Sequence, residues 1–406
     1  MPWRETCAMD QRLRFVLACV DGLESVSSLC RQYGISRKTG HKWLSRYRAT
    51  GVDGLCERSR APSCNGRGLE AEVIAAVLSV RHRYPSWGPR KVKAFLEDRQ
   101  PGQSWPASST IGELFDRTGL TRPRKRRRRV PPQSAPLAAC RAPNDVWCAD
   151  FKGWFLTGDG THVEPFTVSD GYSRFLIRCE AVARSDAAHV WPVLEAAFAD
   201  YGLPRALRSD NGPPFASRAA GGLSPLAVKL IKAGVLPERI EPGKPQQNGR
   251  HERLHLTLKQ DTAAPPARSL AEQIDRFEDF REIYNTQRPH EALKQRPPGR
   301  VYLPAPRQFD GTLRAPDYPD EAQVRRVRSN GTIKWQGDLI FISEALTGEP
   351  VGLFPAAENT WIVKYGPVVL GTMKGREGFI RSRGGRPSTP TDDQNTTRNL
   401  LPMSSG

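Results

Sequence analysis

Residues 146–208 constrain the fold most. Three runs rich in aromatic and β-branched residues, Val146 to Leu156, His162 to Val168 and Arg174 to Val182, are separated by Asp159-Gly160 and Asp170-Gly171. Asp-Gly between such runs is a hairpin signal, because the pair tolerates the left-handed backbone that closes two antiparallel strands. A helical stretch from Ser185 to Asp200 follows, then a short strand, Arg205 to Arg208. Hairpins followed by a helical crossover into a further strand predict a mixed sheet with helices packed on it. A helix over Ser224 to Ala233, a short Arg239-Ile240-Glu241 segment and a helix through Glu252 to about Gln260 continue the α/β pattern.

Three acids stand out in this region. Asp150 lies inside the first run, beside Trp147 and Phe151, where a charge without a partner is costly. Asp210 ends Ala206-Leu207-Arg208-Ser209, and Asn211-Gly212-Pro213-Pro214 turns the chain away behind it. A carboxylate at such a strand end is well placed for a metal ion, although Asn-Gly is also a plain turn signal. Glu252 sits in Gln246-Gln247-Asn248-Gly249-Arg250-His251-Glu252-Arg253. It follows Asp210 by 42 positions, and Asp210 follows Asp150 by 60. Asp159 and Asp170 each precede a turn glycine, where aspartate is common for backbone reasons.

These acids, followed by Tyr284-Asn285-Thr286-Gln287-Arg288-Pro289-His290, resemble the integrase-like DDE transposases of bacterial insertion sequences, relatives of retroviral integrases. The likeness covers the middle of the chain and rests on four pieces in the family's order. It implies an RNase H-like catalytic core with Asp150, Asp210 and Glu252 as catalytic residues and as ligands of two Mg²⁺ ions, with Mn²⁺ able to substitute. Two metals about 3.5–4 Å apart activate the attacking oxygen and stabilise the leaving oxygen of an in-line displacement at phosphorus. Water would free a 3′-OH at the element's ends, and that 3′-OH would attack target DNA. The family's second gap is commonly shorter, so Gly221-Gly222-Leu223-Ser224-Pro225 reads as a lengthened connection. Lys244 stands where many relatives carry histidine or an aromatic residue. Lys259 matches a Lys or Arg that touches terminal DNA in relatives.

The Glu252 helix carries two patterns. Glu252, His255 and Lys259 fall at i, i+3 and i+7 on one face, and Leu254 and Leu258 form a separate packing stripe. His251-Glu252-Arg253-Leu254-His255 is also a literal H-E-x-x-H, the helix of zinc proteases. That reading leaves Asp150, Asp210 and the charge of the chain unexplained. If they are not ligands, the two histidines are expected on the surface or facing DNA.

Net charge is +18 and the pI about 9.9, so the chain needs a polyanionic partner. No apolar run approaches the length of a spanning helix, which leaves nucleic acid rather than membrane. Residues 10–50 read as three helices, with Gly34 as a stop and Ser36 as an N-cap. The helix from Arg37 to Tyr47 turns Trp43, Leu44 and Tyr47 inward and leaves Arg37, Lys38, Lys42, Arg46 and Arg48 outside. This is helix-turn-helix logic, a basic second helix for the major groove; a helical hairpin with a solvated charged face is the alternative. Leu69 to Tyr84, Lys91 to Leu96 and Ser109 to Arg117 read as a second helical module. Arg122, Arg124, Lys125, Arg126, Arg127, Arg128 and Arg129 then form a basic linker, expected to lie along DNA phosphates.

The expected organisation is a helix-turn-helix domain at 1–60, a second helical DNA-binding domain and basic linker at 61–138, and the core at 139–263. A helix and Pro-rich linker follow at 264–319, a small β-barrel at 320–375 and a disordered tail at 376–406. Eight cysteines make no C-x-x-C pair, so they read as reduced, mostly buried thiols of a cytoplasmic protein. The expected partner is double-stranded DNA, as terminal inverted repeats and as target. Two ends must meet, so a homodimer or larger assembly at the bacterial nucleoid is expected. A transposase-derived DNA-binding repressor with an inactive core is the rival function.

Overall fold

Ser25 and Ser36 each place a hydroxyl where the first amides of a helix lack partners. In the computed structural model, which describes residues 7–57, 69–121, 140–240, 249–374 and 378–381, these side chains accept from Ser28 N (3.3 Å) and Thr39 N (3.2 Å). They open α2 (Val26–Gln32) and α3 (Arg37–Thr50), which follow α1 (Ala8–Asp21). Phe15, Val16, Leu29, Cys30, Trp43, Leu44 and Leu55 form their core. Gly40 lies inside α3 because the helices cross closely: a Cβ there would stand 2.4 Å from Cys30 Sγ. These helices belong to one compact unit, Met1–Leu69; Glu70–Gly406 is a second.

The second unit opens with α4 (Ala71–Arg83), α5 (Pro89–Arg99) and α6 (Ser108–Arg117). Val77, Trp87, Val92, Ile111 and Phe115 are buried between them. Proline at the first position of α5 costs no hydrogen bond and presets φ. The Arg81 side chain donates to the carbonyls of Pro85, Trp87 and Leu120, tying both ends of the module together.

The expected mixed sheet follows. Its strands are β1 (Val146–Phe151), β2 (Phe155–Leu156), β3 (His162–Asp170), β4 (Leu176–Val182), β5 (Ala206–Ser209) and β6 (Leu236–Arg239). The single strand expected over Val146 to Leu156 is thus two, with Gly153 at a positive φ in the break. β3 pairs antiparallel with β1, β2 and β4, whereas β1–β5 and β5–β6 are parallel. Strand alternation sorts the faces. Trp147, Phe166, Val168 and Leu207 pack against α7 (Ala187–Tyr201) and α8 (Pro225–Lys232). Val163, Leu176 and Cys179 pack against α9 (Gly249–Thr262) and α10 (Leu270–Thr286) on the other face.

After α10 the chain forms β7 (Gln323–Arg326), β8 (Thr332–Trp335), β9 (Asp338–Phe341), β10 (Pro350–Ala357), β11 (Thr360–Tyr365), β12 (Val368–Lys374) and β13 (Gly378–Arg381). The expected β-barrel is corrected here. The strands make a five-stranded sheet, β13-β12-β11-β10-β7, and a separate β8–β9 hairpin, with no closed barrel among the described residues. Alternation in sequence reports strands and their faces; it does not report whether distant edges pair.

That sheet packs on the core. Val351, Leu353, Val363, Leu370 and Met373 share a cluster with Leu223, Ala227, Val228 and Ile231. The lengthened connection is the platform. Ala220–Gly222 forms a 3-10 turn, and a Cβ on Gly221 would meet Val368 Cγ1 at 3.0 Å. Arg239 donates to Gly221 O (3.0 Å) and occupies the space a Gly222 side chain would need, 2.2 Å from an ideal Cβ. Lys232 on α8 pairs with Glu349 at 2.6 Å, and Tyr365 Oη donates to the same carboxylate at 3.0 Å.

The cysteines are less buried than expected. Cys30, Cys148 and Cys179 are buried, but Cys7 and Cys56 are exposed. Cys7 serves instead as the N-cap of α1, its sulfur accepting from Asp10 N.

Gly222→Ala is therefore expected to cost about 1–3 kcal/mol through left-handed strain and displacement of Arg239. Its thermal midpoint should fall and the 320–374 segment should be cut faster by protease. An unchanged midpoint and cutting rate would show that this close approach carries no weight.

Candidate active site

The parallel pairing of β1 with β5 joins Val146 to Ala206, Trp147 to Leu207 and Cys148 to Arg208. Each pair is offset by the spacing that separates Asp150 from Asp210. Continued along the strands, the register sets the two acids level. Neighbouring strands lie about 4.8 Å apart. Trp147 and Leu207 face α7 and α8, so by alternation Asp150 and Asp210 face the side covered by α9. Both are half-buried. Phe151 N donates to Asp150 Oδ1 (2.9 Å) and Gly212 N to Asp210 Oδ1 (3.1 Å). Asn211 Nδ2 donates to Ile240 O (2.8 Å), holding the turn behind Asp210 against the end of β6.

Helix α9 differs from the pattern expected of it. His255 does not share an open face with Glu252 and Lys259; it is 8% exposed and His251 is 2% exposed. Both lie with Leu254 and Leu258 on the packing face, while Glu252 and Lys259 are exposed. The histidines are not surface residues because β3 offers them a polar partner. Thr167 Oγ1 lies 3.1 Å from His251 Nε2, 2.8 Å from His255 Nε2 and 3.2 Å from Asp150 O, the last as acceptor. A hydroxyl that gives its one proton to Asp150 O has lone pairs left to accept from both rings through Nε2. Burial lowers His251 from 6.5 to about 4. Burial, with His251 and Lys152 nearby, lowers His255 to about 2. The two Nε2 atoms of the H-E-x-x-H motif thus meet a buried threonine, which removes the ground for the zinc-protease reading. His255 Nδ1 stands 4.0 Å from Asp150 Oδ2.

Glu252 lies in the first turn of α9, where the helix dipole favours a carboxylate. Among the described residues no three His, Cys, Asp or Glu side chains are grouped so as to hold a metal. The β1–β5 register runs towards Asp150 and Asp210, and Glu252 opens the helix that covers that face. Residues 241–248, Lys244 included, lie outside the described residues.

Residues 284–290 hold α9 and α10 in place, a role not read from the sequence. Asn285 is 4% exposed; its Oδ1 accepts from Leu176 N (2.7 Å) and its Nδ2 donates to Leu176 O (2.8 Å), fastening α10 to β4. Arg288, 7% exposed, reaches Thr257 Oγ1 (3.3 Å), Asp261 Oδ2 (3.5 Å) and Ser86 Oγ (3.4 Å). It joins α9 to the loop before α5. Gln273, 0% exposed, bonds Ala267 N and Thr262 O across the α9–α10 connection. A buried polar group left without its partner costs about 1–3 kcal/mol. The legible signal was Asn285 inside the apolar end of α10 and Arg288 just past it.

In α3, Arg37, Lys38 and Lys42 are exposed as expected. Arg46 is not fully outside: it is half-buried, 5.1 Å from the Trp43 ring, which Lys42 and Arg12 each approach at 4.1 Å. Arg124, Lys125, Arg126, Arg127, Arg128 and Arg129 lie outside the described residues.

Residues 141–245 match a family model described as an integrase core domain, and residues 233–298 match a second model of that description. Residues 11–63 match a helix-turn-helix domain and residues 39–115 a homeodomain-like domain. The chain is 30% identical over 255 residues to the insertion element IS407 uncharacterized 31.7 kDa protein of Burkholderia multivorans, covering 61% of this chain and 83% of that protein. It is 28% identical over 276 residues to the insertion element IS476 uncharacterized 39.2 kDa protein of Xanthomonas euvesicatoria, covering 66% of this chain and 76% of that one. A solved HTLV-2 integrase catalytic core in complex with magnesium is 14% identical over 40% of this chain and 98% of its own, with a TM-score of 0.32.

The buried histidines make stability depend on pH. Their folded values lie below the ordinary 6.5, so the unfolded chain binds more protons below that value. Their contribution is complete above about pH 6.5 and is lost as pH falls towards about 4 for His251 and about 2 for His255. The thermal midpoint is expected to drop across that window, and to drop less steeply in His255→Gln. Equal slopes in the two proteins would place the effect elsewhere.

Proposed function

The chain belongs to the integrase-core family of insertion-element transposases, and on that premise we propose that it cuts DNA at the ends of its own element and joins those ends to target DNA. What supports this reading is the β1–β5 register, Val146–Ala206 to Cys148–Arg208, whose offset, continued along the chain, would bring Asp150 level with Asp210. Two half-buried carboxylates, one within β1 and one just past β5, suit a hard, oxygen-seeking cation such as Mg²⁺. Asp150 and Asp210 would hold it, in a two-ion site with Glu252 as the third ligand and Mn²⁺ as substitute. When bound, the metal supplies positive charge to the attacking and leaving oxygens of a phosphoryl displacement.

The chain's own residues do the rest. Thr167, His251 and His255 hold β1, β3 and α9 in contact, so the Asp150 backbone cannot shift without disturbing the helix that carries Glu252. Lys259, exposed on α9, positions terminal DNA beside the acids. Arg37, Lys38, Lys42 and Arg46 of α3 contact the terminal repeat, and the 124–129 run tracks phosphates. Two ends require a dimer or larger assembly on DNA, at the bacterial nucleoid. The rival reading is a transposase-derived DNA-binding repressor with an inactive core.

Labelled DNA flanking the gene, incubated with the full chain and Mg²⁺ or Mn²⁺, separates these readings. Wild type is expected to cut and join the ends, and Asp150→Asn to bind them without cutting. End binding without cutting in either protein would support the repressor, and no binding in either would sink both. Lys259→Ala is expected to weaken end cleavage by about tenfold, in line with the loss of one charge-assisted contact; unchanged cleavage and binding would remove Lys259 from the site.

A further inference from the structure

The junction between α5 and the segment after α10 carries a second basic surface, distinct from α3, the linker and Lys259. A groove of about 550 Å³ opens there, lined by Arg90, Lys93, Asp98, Lys294, Arg296 and Arg300 among others. Some of its charge is compensated. Arg90 pairs with Glu291 at 3.1 Å, Lys93 with Glu97 at 3.2 Å, and Arg300 grips Asp98 with both terminal nitrogens. Lys294 and Arg296 are exposed and have no acidic partner among the described residues.

The turn that presents them is rigid. Lys294 and Gln295 both take left-handed backbone, φ 54 and φ 63, which non-glycine residues adopt at a cost. Gln295 N donates to His290 O (2.8 Å) and His290 N to Arg296 O (3.3 Å), closing the turn on itself. Both cations thus project from a preset loop.

The charge continues towards the acids. Lys91 follows Arg90 and has Arg288, Arg253, Asp261 and Glu291 as its charged neighbours. Burial, ahead of the nearby Arg288 and Arg253, lowers it to about 7. Arg253 is exposed, adjoins Glu252 on α9 and has no acidic partner among the described residues. Phe95, the aromatic residue of the groove, is stacked edge-on by Tyr84 and Trp87 and covered by Arg99, so it is not offered to a base.

We propose that Arg253, Lys91, Arg90, Lys294 and Arg296 form one cationic track that binds the sugar–phosphate backbone of DNA and leads it to the Glu252 helix. The proposal rests on the reading that the chain acts on DNA. Cations without stacking or base-reading partners recognise phosphate spacing, not sequence, so the track holds end DNA and unrelated DNA alike.

The test measures binding of the full chain to a duplex from the gene's flank and to an unrelated duplex across a salt series. Lys294→Asn/Arg296→Gln keeps a residue tolerant of left-handed backbone at 294. Each lost phosphate contact lowers the salt slope by about 0.9, so this variant should lose about 1–2 from the slope and bind about tenfold more weakly. Arg253→Gln, an exposed change with no packing role, should lose about 1. Arg314→Gln/Arg268→Gln removes the same charge elsewhere and should match wild type. A loss on both duplexes supports the track, and a loss confined to one duplex would overturn its sequence-blind hold on phosphates. If wild type binds and the slopes of both track variants equal its own, the track is overturned. If the charge control loses as much as the double variant, the effect is net charge and the track is likewise overturned. Failure of wild type to bind either duplex overturns instead the DNA reading on which the track rests.

Discussion

A single parallel register governs the centre of this molecule. Pairing Val146 with Ala206 and Cys148 with Arg208 fixes an offset of 60 positions between β1 and β5, and Asp150 and Asp210 stand at that same offset just beyond the last paired residues. A slip of one residue would send one of them to the opposite face, into the apolar layer of Phe166, Leu194 and Phe198. The burial of Trp147 and Leu207 against α7 and α8 therefore enforces the position of two carboxylates that themselves contribute nothing to packing.

The opposite face is held by polar contacts. Thr167 is fully buried and binds two histidines of α9 and the Asp150 carbonyl. Asn285, Gln273 and Arg288 then fix α10 and α9 to the sheet, to each other and to the loop before α5. Such contacts are directional, so they specify one placement of α9 where apolar packing alone would accept several. The helix carrying Glu252 is thereby oriented by residues distributed from Ser86 to Arg288.

Much of this was legible in the chain. Asp-Gly turns between β-rich runs announced the hairpins, and the helix cap at Ser36 was where the local chemistry put it. The acids were picked out by their settings at a strand interior, a strand end and a helix start. What escaped notice depended on distance in sequence. His255 looked solvent-facing because helical spacing groups it with Glu252, and only Thr167, 88 positions away, shows otherwise. Arg288 read as part of a signature, yet its partners Ser86 and Thr257 lie far upstream. Barrel closure was misjudged for the same reason: edge pairing is a property of remote strands, and alternation within each strand is silent about it.

The platform at Ala220–Gly222 changes what counts as a separable part. The C-terminal sheet buries Leu223, Ala227, Val228 and Ile231 of the core, and Glu349 neutralises Lys232. Cutting the chain after the Pro-rich segment would bare that apolar strip to water together with an unmatched ammonium. The core is thus not portable. A recombination event that exchanged the C-terminal segment for another would have to bring a matching apolar face and an acid at the same place, or acquire compensating changes around Gly221 and Gly222. The two segments are bound to diverge together, as halves of one surface.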